Sequence, residues 1–230
     1  MKRFLPVIHR RNDDQVFEQV HVALEGGADG VWLIDHTDDA TALSKTYGQV
    51  RAKHPDLWIG LNFLDLPTTA AVMMASTHVE GLNGLWADNG GVKDNGPEWW
   101  VSQIPTILKD HNWHGEYFGG VAFKGQDHIT SSDHIEGSRM AAAAARDWMD
   151  VVCTSGRNTG VAPATQKVQT MKEAIGDKRL ALASGVTCDN LKDFLPYVDD
   201  FMVATGVSSD FHHLDPERVK RMAELIHASP

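Results

Sequence analysis

The stretch GADGVWLID, Gly27 to Asp35, carries a helix-ending glycine, a short turn, a β-branched apolar run and a terminal carboxylate in that order. EGLNGLWADN (80–89) repeats that order, and DWMDVVCTSG (147–156) and YVDDFMVATG (197–206) follow the same plan with Thr-Ser-Gly and Thr-Gly as the polar end. Each phrase is one supersecondary unit: helix end, turn, strand, polar mouth. Working outward, apolar runs of the same kind lie at RFLPVI (3–8), DGVWLI (29–34), LWIGLNF (57–63), GLWA (84–87), YFGGVAF (117–123), DVVCT (150–154), LALAS (180–184) and DFMVA (200–204). They recur at intervals of roughly 30 residues, the length of a strand plus its crossover helix.

The segments between the runs have helical periodicity, and the pattern predicts helices within 13–27, 38–54, 66–81, 96–112, 132–149, 163–177, 187–198 and 214–229. Most open on Asp, Ser, Thr or Pro, the residues that cap or start a helix, and several close on Gly or Asn. Eight alternating units predict an α/β fold, a single-domain (β/α)8 TIM barrel spanning residues 1–230, in which closure removes sheet edges and buries both strand faces. A doubly wound sheet would call for a G-x-G-x-x-G after the first strand, and there is none.

Composition narrows the function classes. With 21 Lys and Arg against 31 Asp and Glu, the formal net charge is -10, and no basic, aromatic-laced patch interrupts it. A nucleic-acid partner is therefore not expected. A small phosphorylated metabolite is compatible, because a few local amides hold one phosphate against an unfavourable global field. The opening apolar run is too short for a signal-peptide core, and nothing approaches the ~18 apolar residues of a membrane span, so no membrane insertion is expected. The two cysteines, Cys153 and Cys188, fit neither a zinc motif nor a disulfide framework, which predicts a reducing, cytoplasmic setting. The alanine run 141–145 allows close helix packing and leaves a homo-oligomer possible, though it equally reflects helix propensity.

In barrels of this kind chemistry gathers where strands end. The residues just past the apolar runs are His9, Asp35 and His36, Asn62, Asp88 and Asn89, Lys124, Thr154 with Arg157, Ser184, and Thr205. Asp38, Asp39 and Asp65 read as turn or capping residues. Lys124 ends GGVAFK, which brings an ammonium over the mouth as proton donor, phosphate contact or imine nucleophile, with acid-base use preferred and a salt bridge to Asp88 or Asp150 as the plain alternative. Asp35, His36 and Asp88 are its expected catalytic partners. His9, Asn62, Asn89, Thr154 and Arg157 are expected to bind substrate, Arg157 from the glycine-rich loop TSGRNTG (154–160).

ASGVTCDN (183–190) and ATGVSSD (204–210) end the seventh and eighth runs, the two loops that commonly make the phosphate cup of such barrels. Ser184, Gly185, Val186, Thr205, Gly206, Val207 and Ser208 are the expected donors, through backbone amides and hydroxyls. No cofactor is expected. The twelve histidines include no H-E-x-x-H, and HNWH (111–114) and FHHLD (211–215) read as helix-end or surface residues. A divalent metal held by His9, His36 and Asp88 across the mouth is the one metal arrangement left open. Cys153 lies within a strand, where a thiol is usually inert.

From Val151 to Asp210 the chain resembles the BtpA/SgcQ family of phosphate-binding TIM barrels. The likeness rests on Thr159-Gly160, on Ser184-Gly185-Val186-Thr187 with Asn190, and on Thr205, with Lys124, Asn62 and His9 matching further family positions. The family's proline-rich loop after its early histidine is missing, its Glu-Asn after the second strand is here Asp35-His36, and a lysine after the last strand is replaced by VSSD (207–210). The resemblance implies a barrel and a phosphorylated ligand, and it carries no particular reaction across.

Three functions fit these readings. The first is an enzyme on a phosphorylated sugar or nucleotide-related metabolite, doing acid-base chemistry of the isomerase, epimerase or aldolase type. The second is a non-catalytic barrel that binds a phosphometabolite as an assembly or regulatory factor. The third is phosphoribosyl transfer or N-glycosidic hydrolysis, in which Trp99 and Trp100 stack on a base or simply pack.

Overall fold

Along each strand alternate side chains face opposite ways, and the apolar residues sort accordingly into two clusters. Leu5, Val7, Trp32, Ile34, Trp86, Phe118, Cys153, Ala181, Ala183 and Met202 point inward and fill the centre, while Phe4, Ile8, Leu33, Leu61, Leu85, Val152 and Leu182 point outward against the helices. The computed structural model describes residues 2–37 and 39–229. Asp38, read above as a turn residue, lies outside them.

The strands are β1 (Arg3–Arg10), β2 (Val31–Asp35), β3 (Ile59–Asn62), β4 (Gly84–Ala87), β5 (Glu116–Gly120), β6 (Val151–Thr154), β7 (Arg179–Ala183) and β8 (Asp200–Val203). All neighbours pair in parallel, and β8 returns to β1 to close the barrel. The helices are α1 (Asp13–Glu25), α2 (Ala40–Lys53), α3 (Thr68–His78), α4 (Gln103–Asp110), α5 (His134–Ala145), α6 (Thr165–Ile175) and α7 (Pro216–His227). Asn12, Asp39, Asp133 and Asp215 cap α1, α2, α5 and α7 with side-chain acceptors, as the pattern predicts for such residues. Asp65 lies exposed in a turn.

Two helix expectations need correction. Within 187–198 the chain makes turns and one 3-10 segment, Leu191–Asp193. Pro196 removes a donor and disfavours a helical residue before it, while the Asn190 side chain accepts from the Thr187 amide and donates to the Gly185 carbonyl. Within 96–112 the helix starts only at Gln103, because Gly96–Pro97 pairs with Val92–Lys93 in a small antiparallel ribbon.

The amino-terminal end of the barrel is closed by ion pairs. Asp200, fully buried, accepts from Arg3 Nε at 2.6 Å and from Arg179, and Glu116 receives the same two guanidiniums. Above this layer Trp32 occupies the axis, and a Cβ on Gly60 would lie 2.3 Å from its ring. The glycine in LWIGLNF therefore makes room for the indole in GVWLID. The carboxyl-terminal end is left open.

Candidate functional site

The open end holds a cavity of about 390 Å³ whose floor is the last inward layer, Val7, Ile34, Trp86, Ala183 and Met202. Its rim carries His9, His36, Lys124, Thr159, Ser184, Thr205 and Ser208, contributed by the ends of β1, β2 and the loops after β5 through β8. Val7 and His9 lie two residues apart on β1, so the alternation that buries the valine also aims the imidazole at the mouth.

On one side Asn62, Asp88 and Lys124 form a chain of contacts. Asn62, buried at the end of β3, donates Nδ2–H to Asp88 Oδ1 at 2.9 Å, and Lys124 Nζ stands 3.4 Å from Asp88 Oδ2. The salt bridge anticipated as the plain alternative for Lys124 is thus made with Asp88. Asp150 instead accepts the Tyr117 amide at 2.8 Å, at the opposite end of β5. The loop bearing Asp88 crosses β5 closely: a Cβ on Gly120 would lie 2.0 Å from the Asp88 carbonyl oxygen. Lys124 is fixed at its backbone, whose amide donates to Ser155 Oγ at 2.9 Å.

Beside this set stand two histidines. His9 Nδ1 and His36 Nε2 are 2.9 Å apart, and both rings pack on Phe211, at centroid distances of 4.4 and 5.2 Å. Burial, then the neighbouring His36, His212 and Lys124, hold His9 down at about 4. His36 is also lowered, by burial and by Lys124, against the opposing pull of Asp35 and Asp88. Near neutral pH the pair is uncharged, so one ring donates to the other and the outer nitrogens remain to exchange a proton.

The opposite side is a rim of hydroxyls from three loops: Thr159 after β6, Ser184 after β7, and Thr205 and Ser208 after β8. Ser184 adopts φ +93° and accepts the Gly160 amide at 2.8 Å, which ties the first two loops together. The glycines act differently from expectation. A Cβ on Gly185 would lie 2.2 Å from the Ala162 nitrogen, and one on Gly206 would lie 1.9 Å from the Val186 carbonyl oxygen. They let the three loops stack. Val186 and Val207 turn their side chains into the outer core, and the Val207 amide donates to the Ala204 carbonyl at 3.0 Å. Gly185, Val186, Gly206 and Val207 do not line the cavity; its wall presents instead the hydroxyls of Ser184, Thr205 and Thr159, and that of Ser208, which donates to the Ala204 carbonyl at 2.9 Å.

Other expected residues are drawn elsewhere. Asp35 faces outward, buried, where Arg10 Nη1 donates to it at 2.8 Å and the Thr37 amide and hydroxyl bind its other oxygen. Thr154 is fully buried with its hydroxyl toward the Ala122 carbonyl, 3.4 Å away. Asn89 turns its loop by accepting the Gly91 amide at 2.9 Å, and it borders a neighbouring cavity of about 400 Å³ shared by Asn62, Asp88 and Trp99. Arg157 opens onto a third cavity, outside the barrel. Asp88 binds Asn62 and Lys124, and among the described residues no three His, Cys, Asp or Glu side chains come together as a metal site. Cys153 is buried in the inward cluster, and burial pushes its thiol up.

Phe211 and His212 escaped the sequence reading. His212 Nδ1 lies 3.1 Å from the His9 carbonyl oxygen and Phe211 walls the mouth, although both sit past the last rim loop. Their signal was the aromatic FHH directly after VSSD, set aside as surface.

A closed barrel of parallel strands wrapped by helices, with its polar cavity at the carboxyl ends of the strands, is a TIM barrel. Residues 116–228 match the model of the BtpA family. Among solved structures, phosphoribosyl anthranilate isomerase from Thermus thermophilus is 16% identical, with a TM-score of 0.62 over 97% of this chain and 99% of that one. Orotidine 5'-monophosphate decarboxylase from Methanocaldococcus jannaschii, complexed with the inhibitor BMP, is 12% identical, with a TM-score of 0.67 over 98% and 99%. N-(5'-phosphoribosyl)anthranilate isomerase from Pyrococcus furiosus is 11% identical, with a TM-score of 0.66 over 98% of each chain. No curated protein matches the chain significantly. Among the described residues no helix is long and apolar enough to cross a membrane.

Proposed function

We propose that the protein is an enzyme acting on a phosphorylated sugar or nucleotide-related metabolite by acid-base chemistry of the isomerase, epimerase or aldolase type. One observation carries this reading: Lys124 shares the central cavity with a rim of serine and threonine hydroxyls and is held there by Asp88, which with its partner Asn62 borders the adjoining cavity. Structurally similar barrels named for phosphorylated compounds support the ligand class. Hydroxyls on the β6, β7 and β8 loops hold the phosphoryl group, and its binding energy positions the reactive end. Lys124 donates a proton or stabilises a developing oxyanion, and Asp88, oriented by Asn62, accepts one. The neutral His9–His36 pair passes a proton along the rim.

The test is a thermal-shift screen of sugar phosphates and nucleotides against their dephosphorylated counterparts, followed by turnover assays on the hits. At a hundredfold excess over Kd a ligand stabilises by about 2.7 kcal/mol, which raises Tm by roughly 5–10 °C in a chain this long. Ser184→Asp, which sets a carboxylate in the hydroxyl rim, abolishes that shift. Equal shifts in parent and variant defeat the assignment.

A second reading, transfer or hydrolysis at an N-glycosidic bond, is favoured by one feature. Trp99 is 79% exposed and borders the cavity that Asn62 and Asp88 share, where a planar base would stack on it. Selective stabilisation by nucleotides over sugar phosphates, lost in Trp99→Ala, distinguishes it.

A further inference from the structure

The β6 loop residue Arg157 does not reach the central cavity, and what it does reach is chemically distinctive. Outside the barrel, between the loops that follow β5 and β6, lies a cavity of about 500 Å³ onto which Arg157 and Lys167 both open. Lys167 projects from α6 and is 3% exposed, yet among the described residues no carboxylate meets it: its Nζ donates to the Ala122 carbonyl at 2.5 Å and the Ser155 carbonyl at 2.8 Å. An ammonium has three N–H groups, so one remains. Arg157 is exposed and makes no ion pair or hydrogen bond among the described residues. Two histidines complete the lining, with His128 Nε2 3.0 Å from His134 Nδ1. Asp127 is the carboxylate bordering the cavity, and Ser132 adds a hydroxyl.

A buried ammonium without an anionic partner is costly, and a second cation beside it raises the cost. The strain is visible in the neighbours: burial, then Arg157, brings Lys167 down to about 8, and burial followed by Lys167, His128 and Arg157 lowers His134. In a chain of net charge -10, two unpaired cations converging on one concave surface need an explanation other than solvation. The amino terminus of α5 does not supply one, since Asp133 already accepts the Ile135 and Glu136 amides.

We infer that this cavity is a second anion site, separate from the central one, in which Arg157 and Lys167 bind a phosphate-class dianion, either free phosphate or the phosphoryl group of a metabolite. Arg157 pairs with two of its oxygens from the open side, and the third Lys167 N–H meets it from the buried side. The site also touches the central cavity's machinery. Ser155 accepts from Lys167 at its carbonyl and from the Lys124 amide at its hydroxyl, so an anion that draws on Lys167 acts on the residue that seats Lys124.

The inference does not depend on the reading of the central cavity, and calorimetric titration separates the two. In Ser184→Asp, whose central rim is closed to anions, inorganic phosphate still binds one to one. Adding Arg157→Gln weakens that binding at least tenfold, whereas adding Lys124→Met leaves it within twofold. Arg157 is exposed, so its removal does not threaten folding; Lys167→Met, checked by circular dichroism, gives the same loss if it folds. Ribose 5-phosphate in place of inorganic phosphate identifies the source: binding of the sugar phosphate alone, still dependent on Arg157, assigns the site to a metabolite. If neither probe binds Ser184→Asp, or if Arg157→Gln changes nothing, the site does not exist.

Discussion

Asp35 and Asp88 hold matching places in the sequence, each closing an apolar strand run, and the structure uses them oppositely. Asp88 lies two residues after the inward Trp86 and so shares its face, whereas Asp35 lies three after the inward Trp32 and faces the helices. That parity was readable before any coordinates, and counting from the tryptophans separates the mouth carboxylate from the structural one. Lys124, His9 and Asn62 were legible from position alone. Phe211 and Arg10 were not, because their partners are distant in sequence. At this scale Lys124→Met lowers kcat/KM by about 10²–10⁴, the usual worth of a positioned proton-transfer group, while Kd for the phosphorylated ligand changes little. Loss of affinity with unchanged kcat would assign Lys124 to binding. A pH effect follows from His9, whose folded pKa near 4 lies below the ordinary imidazole value of 6.5. The unfolded chain binds that proton first, so stability is full above pH 6.5 and declines as pH falls toward 4, each pKa unit being worth about 1.4 kcal/mol. Denaturant titrations of His9→Gln show a shallower decline over that window; an identical slope contradicts the assignment.

Among the elements, β-strand placement followed directly from apolar runs, and the failures cluster where glycine, proline and loop stacking outweigh local propensity. The segment after β7 has helical composition but ends against Pro196 and an Asn190 turn, and a ribbon at Gly96–Pro97 delays α4. The loops after β7 and β8 were expected to converge, and in the structure the β6 loop stacks on them as well. The role of their glycines could not be read, since whether a bare Cα faces a ligand or another backbone depends on contacts between successive loops, Gly185 with Ala162 and Gly206 with Val186. Gly206→Ala therefore destabilises, by about 1–3 kcal/mol as an overpacked site does, and loosens ligand binding with it. Gly48→Ala in α2, where a Cβ meets nothing within 4 Å, stabilises by about 1 kcal/mol and serves as the control. Urea unfolding of both checks the pair; a neutral Gly206→Ala would mean that the loops are not stacked as described.

Across the whole molecule the barrel divides its labour between two ends. The repeat period announced eight strands and their closure, but not the quartet of Arg3, Glu116, Arg179 and Asp200 that shuts the amino-terminal end, because its members come from four well-separated strands. Asp200→Ala takes from Arg3 and Arg179 their buried partner and leaves them Glu116 alone, so it costs about 3 kcal/mol and lowers Tm by roughly 10 °C, with ligand affinity at the far end retained once folded. At the open end, the proposed chemistry requires one cavity to hold a phosphoryl group on hydroxyls and to present the attached carbon skeleton to Lys124 and Asp88. A crystal structure with the tightest-binding phosphorylated hit tests this directly. Phosphoryl oxygens at hydrogen-bond distance, about 2.6–3.0 Å, from the Ser184 and Thr205 hydroxyls, with the remainder of the ligand over Lys124, is the expected result. A phosphoryl group seated anywhere else on the barrel, with the central cavity unoccupied, contradicts it.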